Sequence, residues 1–160
     1  MTLLLRAWSS EDVALVREAS RDSYVRRMLG LRSGCGERAA GNWIRRTDAC
    51  SQVIEVDGQG VGEVDLTPDA YGYSAQLSYW VLARFRGRGL AERAARLACG
   101  QADGMYLTAY VSARNLASIR VLERLGFQRG RRVADYAGYP GVRDTDSYFR
   151  LPLEKPQELL

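Results

Sequence analysis

The sequence predicts an α/β (α+β) fold, a single layer of sheet with helices packed on its faces. Three observations lead there. Strand-like runs alternate with stretches of helical apolar spacing along the whole chain. The composition is that of an ordinary globular protein, 46% hydrophobic and 26% charged. A short basic glycine loop, "RFRGRG", joins a strand to a helix near the middle. With 160 residues, one domain is expected over 1–153, with 154–160 as a C-terminal tail.

"LLLRAW" (3–8) reads as the first strand. Ser9 or Ser10 then caps a helix, with Asp12 three residues after Ser9 in a capping-box arrangement. This helix is expected to run to about Arg27 and to bury Val13, Leu15, Val16, Ala19 and Val25. The segment 30–41 reads as a loop entering a short helix around Trp43 and Ile44. "SQVIEV" and "GVGEVDL", separated by Asp57-Gly58-Gln59-Gly60, make a β-hairpin. In the strand "AQLSYWVL" (75–82), Leu77, Tyr79 and Val81 share one face, and Ser78, Trp80 and Leu82 the other.

After the glycine loop, Leu90, Ala94, Leu97 and Ala98 mark a helix over 90–101. "MYLTAYVS" (105–112) is a further strand. In "NLASIRVLERLGF" (115–127), Leu116, Ile119, Leu122 and Leu125 recur at three-residue steps, Gly126 stops the helix, and Phe127 folds back as its apolar cap. "GYPG" and "TDSYFRLPL" suggest a closing hairpin. The expected order is β-α-α-β-β-β-α-β-α-β-β.

Composition narrows the chemistry. The formal charge is +4, which suits an anionic ligand but falls short of a dedicated nucleic-acid binder. Cys35, Cys50 and Cys99 are odd in number and have no metal-ligand spacing, so reduced thiols, no metal and a cytoplasmic location are expected. The start, "MTLLLRAW", is too soon broken by Arg6 for a signal peptide, and no membrane span is expected. The chain contains no histidine. Ser-His-Asp triads, Cys-His pairs and His-based metal sites are therefore excluded, and proton transfer falls to other side chains, water or the backbone.

The loop at 84–93 admits three readings. Gly87 and Gly89 just before a helix start allow close approach of a phosphate to unpaired backbone N–H groups. The spacing is neither G-x-G-x-x-G nor G-x-x-x-x-G-K-[ST], so neither dinucleotide-fold nor P-loop signature is present. A plain solvated turn and an RNA contact are the other two readings.

Taken together, "YWVLARFRGRGLAERAARL", "VSARNLASIRVLERLGF" and "RDTDSY" resemble the GNAT superfamily of acyl-CoA-dependent N-acetyltransferases, most closely its RimJ/RimL-like group. With "LRAWSSEDVALVREAS" the resemblance covers roughly residues 3–153. The R/Q-x-x-G-x-G/A signature stands here as Arg86-Gly87-Arg88-Gly89-Leu90-Ala91. The resemblance implies a mixed, mostly antiparallel sheet, splayed at the cofactor strands and flanked by about four helices. It implies acetyl-CoA as co-substrate, with backbone groups of Tyr79, Trp80 and Val81 along the pantetheine and acetyl carbonyl. N–H groups from Gly87 to Glu92, through Leu90 and Ala91, would hold the pyrophosphate. Asn115 would touch the pantetheine, Ser118 would lie near the thiol, and Arg84, Arg88 and Arg120 would approach the adenosine phosphates.

The resemblance further implies direct attack of a neutral primary amine, from a protein N-terminus or a small molecule, with no covalent enzyme intermediate. Where many relatives carry a tyrosine acid, seven residues after the motif asparagine, this chain has Leu122. Ser118 matches the serine used by the RimL-like group. The general base stays open among Glu63, Asp65 and Asp135. Asp144, paired with Tyr148, is expected to be structural. Three functions are thus carried forward: an N-acetyltransferase, a non-catalytic acyl-CoA-binding module, and a nucleic-acid binder using 84–93 and 129–132. The last strand offers an edge for a second copy, so a homodimer is also expected.

Overall fold

In the computed structural model, residues 1–102, 104–134, 136 and 143–152 are described. Strand β1 (Leu3–Arg6) leads into a 3-10 turn, Ser10–Asp12. The capping box forms there: Glu11 N–H donates to Ser9 Oγ, and Ser9 N–H to Asp12 Oδ2 at 2.9 Å. The expected long helix is in fact two, α1 (Val13–Ala19) and α2 (Ser23–Leu29). The break has a local cause. Asp22 accepts from the N–H groups of Tyr24 and Val25 and so starts a new helix. Gly30 closes α2 in a left-handed conformation, and α3 (Glu37–Ile44) follows.

Strands β2 (Ser51–Val56) and β3 (Gln59–Pro68) form the hairpin. Its two-residue turn has Asp57 and Gly58 both at positive φ, 48° and 82°, as a primed turn requires. A bulge near Val61 shifts the register between Ile54 and Glu55. β4 (Ser74–Val81), a 3-10 turn (Ala83–Phe85) and α4 (Leu90–Gly100) come next. β5 (Tyr106–Ser112), α5 (Leu116–Arg124), β6 (Gln128–Val133) and β7 (Thr145–Arg150) complete the chain. The α5 terminus is a Schellman cap: Phe127 N–H donates to Leu122 O, Gly126 N–H to Glu123 O, and the Phe127 ring is buried.

The sheet has seven strands in the order β1-β2-β3-β4-β5-β7-β6. Every pair is antiparallel except β4 with β5. That parallel pair holds together only at Ser74–Tyr106, Ala75–Leu107 and Gln76–Thr108. From Leu77 onward the two strands part, and the sheet opens into a V.

The two faces are packed differently. On one, α4 buries Leu90, Ala94, Ala95, Ala98 and Cys99 against Ile54, Val64, Leu77, Val81 and Leu107; small residues let this helix lie close to the sheet. Leu97 and Leu116, which share the apolar spacing of their helices, are 48% and 60% exposed. On the other face Leu15, Ala19 and Val25 of α1 and α2 pack on Val53, Trp80 and Leu82. The alternation expected for β4 thus holds, with Leu77 and Val81 in one core and Trp80 and Leu82 in the other. The expectation of about four flanking helices becomes five α-helices among the described residues.

Candidate active site

The V between β4 and β5 is the floor of a cleft of about 620 Å³. Its walls come from the α4 start, the α5 start and α2. Gly87, Gly89, Leu90, Ala91 and Glu92 line one end; Ser112, Arg114, Asn115, Ser118 and Arg124 line the other; Tyr24, Trp80 and Phe85 close the α2 side.

The glycine loop is shaped by backbone conformation. Gly87 and Gly89 have φ of 74° and 71°, where a side chain would strain the chain. A Cβ at either position would meet nothing within 4 Å, so the glycines leave the loop surface open. The first main-chain bond of α4 is Arg93 N–H to Gly89 O, and among the described residues no N–H from 87 to 92 finds an acceptor. These six adjacent donors lie at the positive end of an 11-residue helix, and five of their residues line the cleft, an arrangement that suits an anion.

The loop's arginines are employed elsewhere. Arg84 makes a two-pronged pair with Glu18, at 2.8 and 3.0 Å. Arg86 donates to Val81 O at 2.9 Å and to Asp22 at 2.7 Å, locking the loop to the α2 cap. Despite partial burial, Asp22 is held below the usual carboxylate range by the Val25 N–H and by Arg86. Arg88 lies over the Phe85 ring. Arg84, Arg88 and Arg120 are not among the residues that line the cleft. The cations in the wall are Arg86, Arg114 and Arg124. Arg124 and Arg96 share Glu92, at 3.0 and 3.1 Å.

Along β4 the pairing pattern divides the backbone. Leu82 N–H donates to Val61 O, so Trp80 and Ser78, at alternate positions, turn their main-chain groups to β3. Tyr79 and Val81 turn theirs to the splayed edge. Trp80 lines the cleft with its main-chain groups turned to β3, so backbone contact along the open edge falls to Tyr79 and Val81. Tyr79, half-buried, packs against the α4-side core and lines the cleft; its hydroxyl donates to Ser118 O at 3.2 Å, and burial pushes its pKa well up.

At the α5 start, Asn115 Oδ1 caps the helix by accepting Ser118 N–H at 3.1 Å. Its amide donates to the Tyr24 hydroxyl at 3.2 Å. The Ser118 side chain lines the cleft and makes no hydrogen bond among the described residues. Leu122, in the place of the family tyrosine, is buried in the core. The carboxylates are less central than expected. Glu63 and Asp65 share the α1–α2 face of β3, and neither lines the cleft. Asp144 accepts from Ser112 and pairs with Arg114 at 3.1 Å, a structural role. Asp135 lies outside the described residues, as does the tail 154–160.

Comparisons with known proteins agree with this geometry. The family model for the acetyltransferase (GNAT) domain matches residues 2–128. The chain belongs to the GNAT acetyltransferase family. Among solved structures, a GNAT-family acetyltransferase from Bacillus anthracis is similar at 20% identity, covering 93% of each chain with a TM-score of 0.76. RimL, a ribosomal L7/L12 α-N-protein acetyltransferase in complex with coenzyme A, matches at 15% identity over 95% of each chain, TM-score 0.78. The Vibrio cholerae spermidine N-acetyltransferase, in complex with coenzyme A and spermine, matches at 16% identity over 93% of this chain and 95% of that one, TM-score 0.74. At these identities the likeness establishes the GNAT fold. No curated protein matches the sequence. Among the described residues no helix is long and apolar enough to cross a membrane.

Sequence reasoning missed Tyr24, Phe85, Ser112, Arg114 and Arg124 as cleft residues. Arg114 and Asn115 are neighbours, so the first had a signal. Tyr24 had none, because it reaches the cleft only through the fold, 91 residues from Asn115.

Proposed function

We propose that this GNAT acetyltransferase moves an acetyl group from acetyl-CoA to a primary amine by direct attack, as a RimJ/RimL-like enzyme of the cytoplasm. The observation that carries the reading is the row of unpaired N–H groups at 87–92, set beside an open strand edge in one cleft. The pyrophosphate occupies that row through Gly87, Arg88, Gly89, Leu90, Ala91 and Glu92 backbone. The pantetheine lies along Tyr79 and Val81 and meets Asn115.

The amine nitrogen attacks the thioester carbonyl carbon, and main-chain N–H near Val81 stabilises the oxyanion. As the intermediate collapses, the C–S bond breaks and the thiolate takes a proton from the Ser118 hydroxyl, replaced from solvent. The amine gives up its proton to water or to a carboxylate at the acceptor side. Arg86 acts through the loop and the Val81 carbonyl rather than on substrate.

The acceptor classes printed for the two CoA-bound neighbours, a protein α-amine and a polyamine, are the first to try. The test is an amine panel of N-terminal peptides, polyamines and aminoglycosides, read by release of free CoA thiol. Turnover of peptides above small amines of similar basicity supports the protein N-terminal acceptor. Saturable acetyl-CoA binding with no turnover on any amine leaves the non-catalytic acyl-CoA module instead.

A further inference from the structure

Three acidic side chains are deeply buried among the described residues: Asp12, Asp146 and Glu63, at 5%, 2% and 7% exposure. Asp12 holds Arg6, and Asp146 holds Arg129 and Arg132. Glu63 has no cation within ion-pair distance among the described residues. Its partners are neutral. Trp80, directly opposite across the β3–β4 pair, donates its indole N–H to one carboxylate oxygen. Ser51 Oγ–H donates to the other, and Ser51 in turn accepts the Trp8 indole N–H at 2.8 Å.

Burying a carboxylate with no cation is costly, and well-packed apolar residues would serve stability at least as well. The site that this arrangement serves is next to it. Trp80 is a residue of the cleft lining and sits in the cluster with Leu15, Ala19 and Val25, against which Tyr24 packs. The α4 start and the β4 edge take the nucleotide and thioester in the acetyl-transfer reading. The wall left for the amine is therefore the Trp80–Tyr24 side.

We propose that Glu63 is a positioning residue, whose carboxylate fixes the Trp80 indole, and through Ser51 the Trp8 indole, so that the α2 wall meets the acceptor amine in one geometry. The inference rests on the acetyl-transfer reading for the part played by the amine. The groups facing Glu63 are Asp65 on its own strand, Ser51 on β2, Trp80 on β4 and Trp8 beyond β1. Of these only Asp65 carries charge, and it pushes the Glu63 pKa further in the direction that burial does. Both protonation states find partners, since Ser51 Oγ is able to accept as well as donate.

The test uses the indole N–H resonances of the 15N-labelled protein, which has three tryptophans, each assigned by a Trp→Phe variant. The Trp80 signal is expected to shift between pH 5 and 8, the Trp8 signal to follow with the same midpoint, and Trp43 to stay still. Glu63→Gln is expected to abolish the shift. A Trp80 signal that stands at the same position in Glu63→Gln as in the wild type at every pH overturns the proposal. In kinetics, Glu63→Gln and Trp80→Phe are each expected to raise acceptor KM or lower kcat by about tenfold while acetyl-CoA affinity stays within about twofold. Equal losses for both substrates, or none, overturn the positioning role. If the wild-type protein acetylates no amine, the acetyl-transfer reading falls, while the resonances still decide whether Glu63 holds Trp80.

Discussion

The Asn115 side-chain amide donates to the Tyr24 hydroxyl at 3.2 Å, so α2 and the α5 start meet over the open V. The same amide is the group expected to meet the pantetheine. Binding of acetyl-CoA then exchanges one hydrogen bond for another. Tyr24→Phe keeps the ring and removes the competitor, and acetyl-CoA is expected to bind tighter by about 1 kcal/mol, the net worth of one such bond. Weaker binding in that variant, measured by calorimetry, would mean that the hydroxyl itself contacts the ligand.

The glycine loop gives a sharper contrast. Gly89 has a φ of 71° with open space beside it, so Gly89→Val fails through backbone strain of about 1–2 kcal/mol and through loss of the N–H alignment. Acetyl-CoA binding should disappear. Arg88→Ala removes a ring contact with Phe85 and a 3.3 Å bond to the Arg84 carbonyl, and should weaken binding by about twofold, near the scale of one exposed cation. Comparable losses in both variants would return the phosphate role to the arginines.

Ser118 lies in the cleft, above its own capping bond to Asn115. If it protonates the leaving thiolate, Ser118→Ala lowers kcat by about 10²-fold or more with acetyl-CoA affinity nearly unchanged. A kcat within about threefold of wild type would move the acid role to another donor.

At Gly62 of β3 the β4 main chain fills the space that a side chain would need. A Cβ there would stand 2.2 Å from the Trp80 carbonyl oxygen and 3.0 Å from Val81 Cα, both backbone. Gly62→Ala must displace the cofactor strand, and a loss of about 2–4 kcal/mol in denaturant unfolding is expected, in the range of other overpacked sites. Wild-type stability in that variant would contradict the close approach.

Burial lifts the Glu63 pKa to about 7 from an ordinary value of 4.5, against the pull of its two donors. A raised carboxyl binds its proton more tightly folded than unfolded. Its contribution is therefore full below pH 4.5 and fades as pH rises through 7. Urea unfolding at pH 5 and pH 8 should show the wild type losing stability across that span, by up to about 3 kcal/mol, and Glu63→Gln losing much less. Equal slopes would assign the pH dependence to other groups.

Much of this architecture was legible in the chain. Ser9 and Asp12 announced their capping box, Asp57-Gly58 its turn, and Gly126-Phe127 its helix cap, because each depends on residues within a few positions. The glycine loop was legible for the same reason. The break between α1 and α2 was not, since apolar spacing runs on from Ala19 to Val25 while Asp22 acts through two backbone bonds. The exposure of Leu97 and Leu116 was not legible, because periodicity fixes a helical face but not how far the neighbouring element covers it. The roles of Arg84 and Arg86 depended on Glu18 and Asp22, over 60 positions away. Long-range pairing of that kind leaves no local trace.

The central claim is that the row of unpaired N–H groups beside the open β4 edge is an acyl-CoA site. Calorimetric titration of the purified protein with acetyl-CoA tests it most directly. One-site saturable binding, abolished by Gly89→Val and retained in Arg88→Ala, is the result expected. No heat of binding at millimolar acetyl-CoA would contradict it, and the loop would then be tested against RNA.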